Sequence, residues 1–405
     1  MQSIIFHIDV NSAFLSWSAV ENLKNGSELD LRTIPSIIGG DQETRHGVVL
    51  AKSIPAKKYG IRTGEPVADA FRKCPHLVTQ RPCHNMYKQY SEKMMEYLRT
   101  YTPDIEQVSV DECYLDFTGI AHLYESPLDC AMQIKDGIDQ KLGFTVNIGI
   151  STSKVLAKMA SDFQKPNKIH TLYLDEIEAK MWPMPVGELY MAGKASVKTM
   201  EKLEIKTIGD LAGFDRTILR THLKSHGDLL WNYANGIDES TVGVVEPKLK
   251  GIGNSTTISN DLTTMEESRK VLLELAESVG GRLRSSSQKA NMVSVEIKYN
   301  TFQSVSHQCQ LQQPSNANDT IYQTACKLFE ELWTGEPVRL LGIRTAKLQG
   351  EQEPEQMNLF DLDFKRRRLD EALDRIKEKY GDDAVHRGSL MRKQDTNVEV
   401  QSTEE

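Results

Sequence analysis

Short apolar runs alternate with stretches of helical spacing through the first part of the chain. Residues 4–10 form a β-branched, apolar run that predicts a strand, and apolar positions with helical spacing follow at 14–23. Runs at 34–38 and 47–51 flank Gly39-Gly40-Asp41 and predict a hairpin. The pattern then predicts helices at 87–101, 127–142 and 153–163, with strands at 108–117 and 144–150. This order predicts an α/β sheet with helices on one face, and residues 12–75 are predicted to be an insertion between its first strand and first helix.

The second half of the chain divides into a strand-free stretch and a second alternating stretch. Residues 171–240 carry short helical segments punctuated by glycines, which predicts a small helical domain, and 246–253 have the composition of a linker. Alternation returns over 254–348, with helices predicted at 265–285 and 319–333 and strands at 292–300 and 339–348. A solvated spacer at 350–355 and a charged amphipathic helix at 365–380 follow. The predicted fold class is therefore α/β (α+β) and multidomain.

Composition and charge exclude several classes of protein. The chain has 405 residues, 26% of them charged and 39% hydrophobic, which excludes wholesale disorder, collagen and a coiled-coil rod. No window approaches the ~18 consecutive apolar residues of a membrane span, and the N-terminus does not resemble a signal peptide, so a cytoplasmic protein without a membrane contact is expected. The net charge of −8 argues against a nucleic-acid binder that uses its whole surface, although it leaves local basic patches open.

The cysteines offer one alternative site. Six cysteines without a C-x-x-C pair predict reduced thiols rather than a disulfide framework. Cys74, His76, Cys83 and His84 could be drawn as a zinc site. Their spacing matches no common zinc finger, and the prolines around them favour a loop.

Two places carry carboxylates where a core strand favours apolar residues. Asp9 lies at the end of the first strand, and Asp111 and Glu112 lie together between two apolar triplets. Burying carboxylates side by side is costly without a cation, and an all-oxygen set suits Mg²⁺. Two such ions are the usual apparatus of in-line phosphoryl or nucleotidyl transfer. The alternative is that Asp111 and Glu112 mark a polar hairpin turn.

The motifs around these acids resemble those of the Y-family DNA polymerases, which copy damaged templates. The resemblance rests on IDVNSAF at 8–14 and SVDECYLD at 109–116. It extends in order through AKKYGI at 56–61, CPHL at 74–77, GIS at 149–151, ASD at 160–162, KPN at 165–167, GID at 236–238 and IGNSTT at 252–257. The resemblance therefore covers nearly the whole chain, to about residue 385.

The resemblance implies a right-hand polymerase fold. It implies a ferredoxin-like palm at 1–11 and 76–170, small fingers at 12–75 and a helix-hairpin-helix-like thumb at 171–240. A linker at 241–250, an α/β little finger at 251–350 and a tail at 351–405 complete the chain. The implied activity is template-directed, error-prone translesion synthesis from a primer end and deoxynucleoside triphosphates.

The resemblance also assigns the active-site residues. Asp9 and Asp111 are expected to hold two Mg²⁺ ions, which Mn²⁺ can replace, with the carbonyl of Val10 and with Glu112 as the third acid. Phe14 matches the aromatic steric gate beneath the sugar, and Lys165 matches a lysine that reaches the triphosphate.

The chain departs from the family pattern at the nucleotide pocket and in the thumb. Ile54 and Lys57 stand where the family usually has Tyr-x-x-Arg, so Lys57 remains a nucleotide-binding candidate and Ile54 does not. Asn11 replaces a frequent second aspartate. Residues 190–194, Tyr-Met-Ala-Gly-Lys, lack the first glycine of a helix-hairpin-helix. The weakened pocket leaves a catalytically weak or inactive, clamp-bound scaffold as the main rival to a polymerase, ahead of a two-metal nucleotide cyclase and a nuclease.

Two regions are candidates for macromolecular contacts. Between 281 and 310 the basic residues outnumber the single acid Glu296, and alternation along a strand would place them on a phosphate backbone; these residues are Arg282, Arg284, Lys289, Lys298 and His307. A scattered basic surface is the alternative. In the tail, Gln356, Leu359 and Phe360 match the spacing of the peptide by which bacterial polymerases bind the sliding clamp. A tail that packs on its own domain is the alternative, and the basic residues 365–368 fit the start of a helix better than a targeting signal. A monomer is expected.

Overall fold

The structure, a computed structural model, describes residues 3–40, 47–243, 249–350, 363–381 and 384–385. The chain divides into two units. Among the described residues, the first unit contains 3–40 and 47–243, and the second contains the remainder. The segment 350–355 and the peptide at 356–360, both singled out in the sequence, fall outside the described residues except for Gly350.

The first unit has eight strands in two sheets. They are β1 (Ile5–Val10), β2 (Ser36–Gly39), β3 (Val49–Lys52), β4 (Val78–Gln80), β5 (Ile105–Gln107), β6 (Glu112–Asp116), β7 (Val146–Ser151) and β8 (Ile169–Thr171). The larger sheet has the order β5-β6-β1-β7-β8, with β1 antiparallel to both neighbours and β8 parallel to β7. The smaller sheet has the order β3-β2-β4. The antiparallel pairing of β2 and β3 confirms the predicted hairpin pairing.

Eleven helices accompany these strands in the described part of the first unit. They are α1 (Ala13–Lys24), α2 (Ile54–Lys58), α3 (Val67–Lys73), α4 (His84–Arg99), α5 (Pro127–Leu142), α6 (Lys154–Asp162), α7 (Ile177–Lys180), α8 (Lys194–Lys202), α9 (Ile208–Ala212), α10 (Arg216–Leu223) and α11 (Ser225–Ala234). Residues 172–243, all described, contain no strand, as the sequence predicted.

Helices cover both faces of the larger sheet, so the prediction of a single covered face is wrong. Helices α4 and α5 pack against Phe6 and Ile8 of β1 in the main core. Helix α6 lies on the opposite face, where a Cβ on Gly149 would clash with the backbone of Ala157 and Ser161. The whole of β1 is therefore buried, including His7 and Asp9.

Helix α1 connects the two sheets of the first unit rather than belonging to an insertion alone. Trp17 and Val20 pack in the core of the larger sheet, whereas Leu15 and Ala19 pack with Ile38 of the smaller one. The residues that follow Asp9 are thus held from two sides, which fixes the start of α1 beside the carboxylates.

The second unit contains one antiparallel sheet with two helices on one face. Its elements are β9 (Gly251–Leu262), α12 (Met265–Ser285), β10 (Gln288–Tyr299), β11 (Ser304–Ser315), α13 (Asn318–Leu332), β12 (Val338–Gly350) and α14 (Asp363–Tyr380). The strand order is β11-β10-β12-β9. Strand β11 was not predicted, and Gly251 to Gly253 belong to β9 rather than to the predicted linker.

The turn at 190–194 forms although the first glycine of a helix-hairpin-helix is missing from it. Met191 adopts φ of 71°, the left-handed region that glycine usually occupies, and Gly193 is the N-cap of α8. Lys224, between α10 and α11, has φ of 56°. A residue with a side chain can adopt a positive φ at some cost in strain, so the turn forms with methionine at 191 in place of glycine.

No helix among the described residues is both long enough and apolar enough to cross a membrane.

Candidate active site

Three acidic residues have neighbouring backbone positions at the ends of two adjacent strands of the larger sheet. Asp9 on β1 pairs in register with Glu112 on β6. The N–H of Val10 donates to the carbonyl of Asp111 at 3.0 Å, which ties the third acid to the same strand end. The structure therefore brings together the acids that the sequence singled out from positions a hundred residues apart.

A tight turn, rather than the predicted strand, carries Asp111. The N–H groups of Val108 and Ser109 both donate to the carbonyl of Glu112, at 3.0 and 3.2 Å. The Ser109 hydroxyl accepts from the N–H of Asp111 at 3.2 Å and of Glu112 at 3.0 Å, and donates to Asp111 Oδ1 at 2.6 Å. The prediction of a continuous strand over 108–117 is wrong in its first half, where a polar turn precedes β6. That the acids mark only such a turn stays the alternative to a metal site. The turn and the acidic site are nevertheless the same feature.

Glu112 has two basic partners beneath the sheet. His7 Nε2 donates to Glu112 Oε2 at 3.2 Å, and Lys158 Nζ lies 3.1 Å from the same oxygen. The hydrogen bond from His7 and the charge of Lys158 outweigh burial and lower the pKa of Glu112 to about 2. Burial lowers the pKa of His7, whose Nδ1 lies 2.8 Å from Ser161 Oγ. Glu112 is therefore ionised at neutral pH.

Asp9 is the most buried of the three acids and has a different cation. The ammonium of Lys165 contacts Asp9 Oδ2 and lies 2.8 Å from Asp162 Oδ1. Burial raises the pKa of Asp9 above its usual value, and Lys165 opposes that shift. The loop that carries Lys165 is held from below by Asn11, whose Oδ1 accepts from the N–H of Asn167 at 2.8 Å. Asn11 therefore stabilises the loop that carries Lys165, a role that its position in the sequence alone did not indicate.

The donor set fits hard divalent cations, although it is not a ready-made cage. Across the described ranges, no three His, Cys, Asp or Glu side chains are grouped closely enough to hold a metal ion. This holds for Cys74, His76, Cys83 and His84, all of which are described, so the structure does not support the zinc alternative. At the strand end, the ammonium groups of Lys165 and Lys158 neutralise Asp9 and Glu112. Carboxylate oxygens are hard ligands and suit hard divalent cations better than softer metals.

A cleft opens from this strand end. Its volume is ≈ 550 Å³, and Asp9, Asp111 and Lys165 line it together with Phe14 and Lys57. The side chain of Ile54 also lines the cleft but is apolar and half exposed. The cleft therefore combines acids at one end with lysines along its walls, as binding of a polyphosphate and its metal ions requires.

Phe14 is held in the wall of the cleft by an aromatic cluster. Its ring stacks on Tyr87 with centroids 4.4 Å apart and planes 8° apart, and the Trp17 ring lies 6.3 Å away. Phe14 is only partly buried, whereas Trp17 is fully buried. The position is compatible with both readings of Phe14, as a gate on the cleft and as an anchor of α1.

Arg284 and Lys289, two of the predicted DNA contacts, have buried side chains in the second unit. Arg282 and Arg284 are in the last turn of α12, not on a strand. The Arg284 guanidinium is 6% exposed; it donates to Asp374 at 2.5 and 2.9 Å and to the carbonyl of Asn316 at 2.7 Å. Lys289 is 4% exposed. We therefore exclude Arg284 and Lys289 from the candidate DNA surface, because neither presents its charge to a phosphate.

The opposite face of that sheet is open. Ser294, Glu296 and Lys298 of β10 alternate with the buried Val293, Val295 and Ile297. Ser294 pairs with Arg344 on β12, which is exposed and which the sequence analysis missed. The predicted clamp-binding residues Gln356, Leu359 and Phe360 lie outside the described residues.

Comparisons with known proteins cover both units. Residues 8–162 match the model of the impB/mucB/samB family, and 249–359 match the model of that family's C-terminal domain. DNA polymerase IV of Clostridium acetobutylicum is 48% identical over 98% of this chain and 100% of that protein. DNA polymerase IV 1 of Bacillus subtilis is 34% identical over 98% of this chain and 95% of that protein.

The fold is similar to that of a solved polymerase structure. A Y-family DNA polymerase chimera of Dbh and Dpo4 superposes with a TM-score of 0.73 at 20% identity, over 85% of this chain and 98% of that one. The superposition confirms the predicted α/β multidomain architecture.

Proposed function

Because this chain belongs to the impB/mucB/samB family of Y-family DNA polymerases, we propose that Asp9, Asp111, Glu112 and the Val10 carbonyl hold two Mg²⁺ ions for nucleotide addition. The protein is a DNA-directed DNA polymerase that acts in translesion synthesis, and as such it depends on divalent metal ions. The observation that carries the proposal is the pairing of Asp9 with Glu112 across β1 and β6, with Asp111 tied to Val10. When bound, two such ions activate the primer 3′-hydroxyl and neutralise charge on the triphosphate.

The chain's own residues orient the reacting groups and bind the nucleotide. The three carboxylates orient the reacting groups, and Lys57 and Lys165, both lining the cleft, receive the triphosphate. Phe14 closes the cleft beneath the sugar. The domain names follow: palm for the larger sheet, fingers for the smaller one, thumb for 171–240 and little finger for 251–350. Because β4 at 78–80 belongs to the smaller sheet, the fingers extend past the expected boundary at 75. The substrates are primer–template DNA and deoxynucleoside triphosphates. The proposed oligomeric state is a monomer, and the proposed location is the cytoplasm.

Primer extension tests the proposal directly. A primer annealed to an intact template, and a second annealed to a template with an abasic site, are incubated with the protein, Mg²⁺ and all four deoxynucleotides. Extension on both templates is expected. Binding of the primer–template without extension under Mg²⁺ or Mn²⁺ would favour the inactive scaffold. The likeness to a DNA polymerase over the full length of the chain gives no support to the alternatives of a scaffold, a cyclase or a nuclease.

The open face of the second unit is the DNA surface that we propose, with Lys298 and Arg344 as its charged contacts. Around Arg344, serines, a glycine and a glutamine let a backbone approach closely; these are Ser255, Ser294, Ser304, Ser306, Gln308 and Gly342. Contacts of this kind are independent of sequence and sensitive to salt.

Removing these charges is expected to change the salt dependence of DNA binding. Arg344→Ala and Lys298→Ala should each reduce the slope of log Kd against log salt by about 1. Arg284→Ala is the matched control, because its guanidinium is buried among Asp374 and Asn316. The control should leave the slope unchanged and cost about 3–5 kcal/mol of stability, as loss of a buried ion-pair partner does. An unchanged slope in Arg344→Ala, or a reduced one in Arg284→Ala, would contradict this surface.

We also propose that Gln356, Leu359 and Phe360 bind the sliding clamp. Replacing Leu359 and Phe360 with Ala should leave distributive synthesis unchanged and remove stimulation by a loaded clamp, because tethering raises effective concentration and leaves the active site as it was. Asn358→Ala, at a position between Gln356 and Leu359, is the control and should keep the stimulation. Equal stimulation of the unaltered protein and the double variant would refute the assignment.

A further inference from the structure

We propose that Lys52 is a triphosphate-binding residue, so that the pair Lys52 and Lys57 replaces the tyrosine and arginine that this chain lacks at 54 and 57. The inference rests on the proposed function and extends it to a residue that no motif assigned. It concerns the wall of the cleft formed by the end of β3 and the start of α2.

The strand pattern places Lys52 in the cleft. Val49 and Ala51 of β3 are buried, whereas Leu50 and Lys52 are partly exposed and line the same cleft as Asp9 and Asp111. Lys52 is the last residue of β3 and pairs in register with Ile37 on β2. A side chain at a paired strand position is better fixed than one on a free loop, so this ammonium is pre-positioned.

The charge of Lys52 has no acidic partner in the described residues. Its Nζ donates to Thr63 Oγ1 at 3.2 Å, and no described carboxylate lies within ion-pair distance of Lys52 or of Lys57. Another lysine of this region, Lys73, is neutralised by Glu65 at 2.5 Å. Neither Lys52 nor Lys57 therefore forms an ion pair with a residue that the structure describes.

These two ammonium groups also repel each other. Partial burial lowers the pKa of Lys52 below its usual value, and the charge of Lys57 lowers it further, while the more distant Glu65 opposes the shift. A polyanion bound between the two lysines would offset the repulsion between their charges and the cost of partly burying the Lys52 ammonium. A triphosphate that reaches the acids at Asp9 and Asp111 must lie in this same cleft.

Other polar groups at this edge are already engaged. Ile54 has no donor in its side chain. The Ser53 hydroxyl donates to the carbonyl of Ile34 at 2.7 Å and accepts from the N–H groups of Ala56 and Ser36, both at 3.1 Å. Lys52 is thus positioned to supply a donor in place of the hydroxyl that is missing at 54 and of the guanidinium fork that is missing at 57.

The test measures nucleotide affinity apart from DNA affinity. The unaltered protein, Lys52→Gln, Lys52→Arg and Lys58→Gln are each bound to a primer–template with a dideoxy-terminated primer, and the Kd of the incoming deoxynucleotide is titrated. Lys58 is the matched control, because it is exposed, lies on the same helix as Lys57 and does not line the cleft. Steady-state KM and kcat are measured on an extendable primer.

Lys52→Gln should weaken nucleotide Kd and raise KM roughly tenfold or more, as loss of a charge-assisted hydrogen bond does. Its primer–template Kd should stay unchanged, and Lys52→Arg should restore most of the nucleotide affinity. Lys58→Gln should match the unaltered protein. An unchanged nucleotide Kd in Lys52→Gln would overturn the inference while leaving the polymerase intact. A weaker primer–template Kd with unchanged nucleotide Kd would overturn it in favour of a template phosphate contact. Failure of the unaltered protein to extend any primer would overturn the proposed function as well.

Discussion

Glu112→Gln is expected to stop nucleotide addition while primer–template affinity stays within a few-fold of that of the unaltered protein. The substitution keeps the size of the side chain, and the Gln carbonyl can still accept from His7 and Lys158, which now hold Oε2 at 3.2 and 3.1 Å. The lost charge is therefore the main change. Loss of about 4 kcal/mol of electrostatic stabilisation in the transition state corresponds to roughly a thousandfold in rate.

Single-turnover extension by one nucleotide measures this effect, together with primer–template Kd and thermal unfolding. Glu106→Gln is the matched control, since Glu106 lies on the neighbouring strand β5 and forms an ion pair with Lys154 at 2.7 Å rather than with His7 and Lys158. The control should lose some stability and keep nucleotide addition. Full activity in Glu112→Gln would show that this acid serves the fold alone.

Regular elements with strong local signals were predicted well from the sequence. The helix predicted at 127–142 is present with those bounds, because Ser126 accepts from the N–H of Asp129 at its start and Gly143, with φ of 83°, ends it. The helix at 265–285 likewise begins after the N-cap Thr264. Capping residues and apolar spacing act over a few residues, so the sequence displays them directly.

Elements that depend on distant contacts were predicted less well. Strand β11 is rich in Ser and Gln, because its open face meets no apolar layer. The hydrophobic residues that it contributes to the core are Val305, Cys309 and Leu311. Arg284 was assigned to DNA because its partner Asp374 lies 90 residues further along the chain. Such pairings cannot be deduced from local pattern.

The acidic residues of the candidate site were singled out from the sequence, whereas a lysine in the wall of the cleft was not. Asp9, Asp111 and Glu112 stood out because carboxylates are unusual beside core strands. Lys52 did not stand out, since a lysine at a strand end is ordinary until the fold shows a cleft beside it. The exposed Val108 and Val110 suggested a longer strand, whereas the hydroxyl of Ser109 organises a turn there.

Phe14→Ala is expected to leave deoxynucleotide addition largely intact and to raise ribonucleotide incorporation about a hundredfold. Deoxynucleotides and ribonucleotides differ by one 2′-hydroxyl, and a ring packed beneath the sugar excludes it by bulk. Forcing an extra atom against a fixed ring costs on the order of 3 kcal/mol, which corresponds to about two factors of ten in selectivity. The Phe14 ring can act in this way because its stacking on Tyr87 keeps it from retreating. The measurement is the ratio of kcat/KM for a deoxynucleotide to that for the matching ribonucleotide.

A matched core variant separates the gate from the anchor of α1. Phe144 is fully buried in the same aromatic cluster, 6.0 Å from Trp17, and does not line the cleft. Phe144→Ala should cost about 3–5 kcal/mol of stability and lower the use of both sugars together. Phe14→Ala should cost less than this, since Phe14 is only partly buried, and should change the sugar ratio alone. A folded, active Phe14→Ala protein with unchanged sugar selectivity would assign Phe14 to the core, because the ring would then be removed without any effect at the sugar.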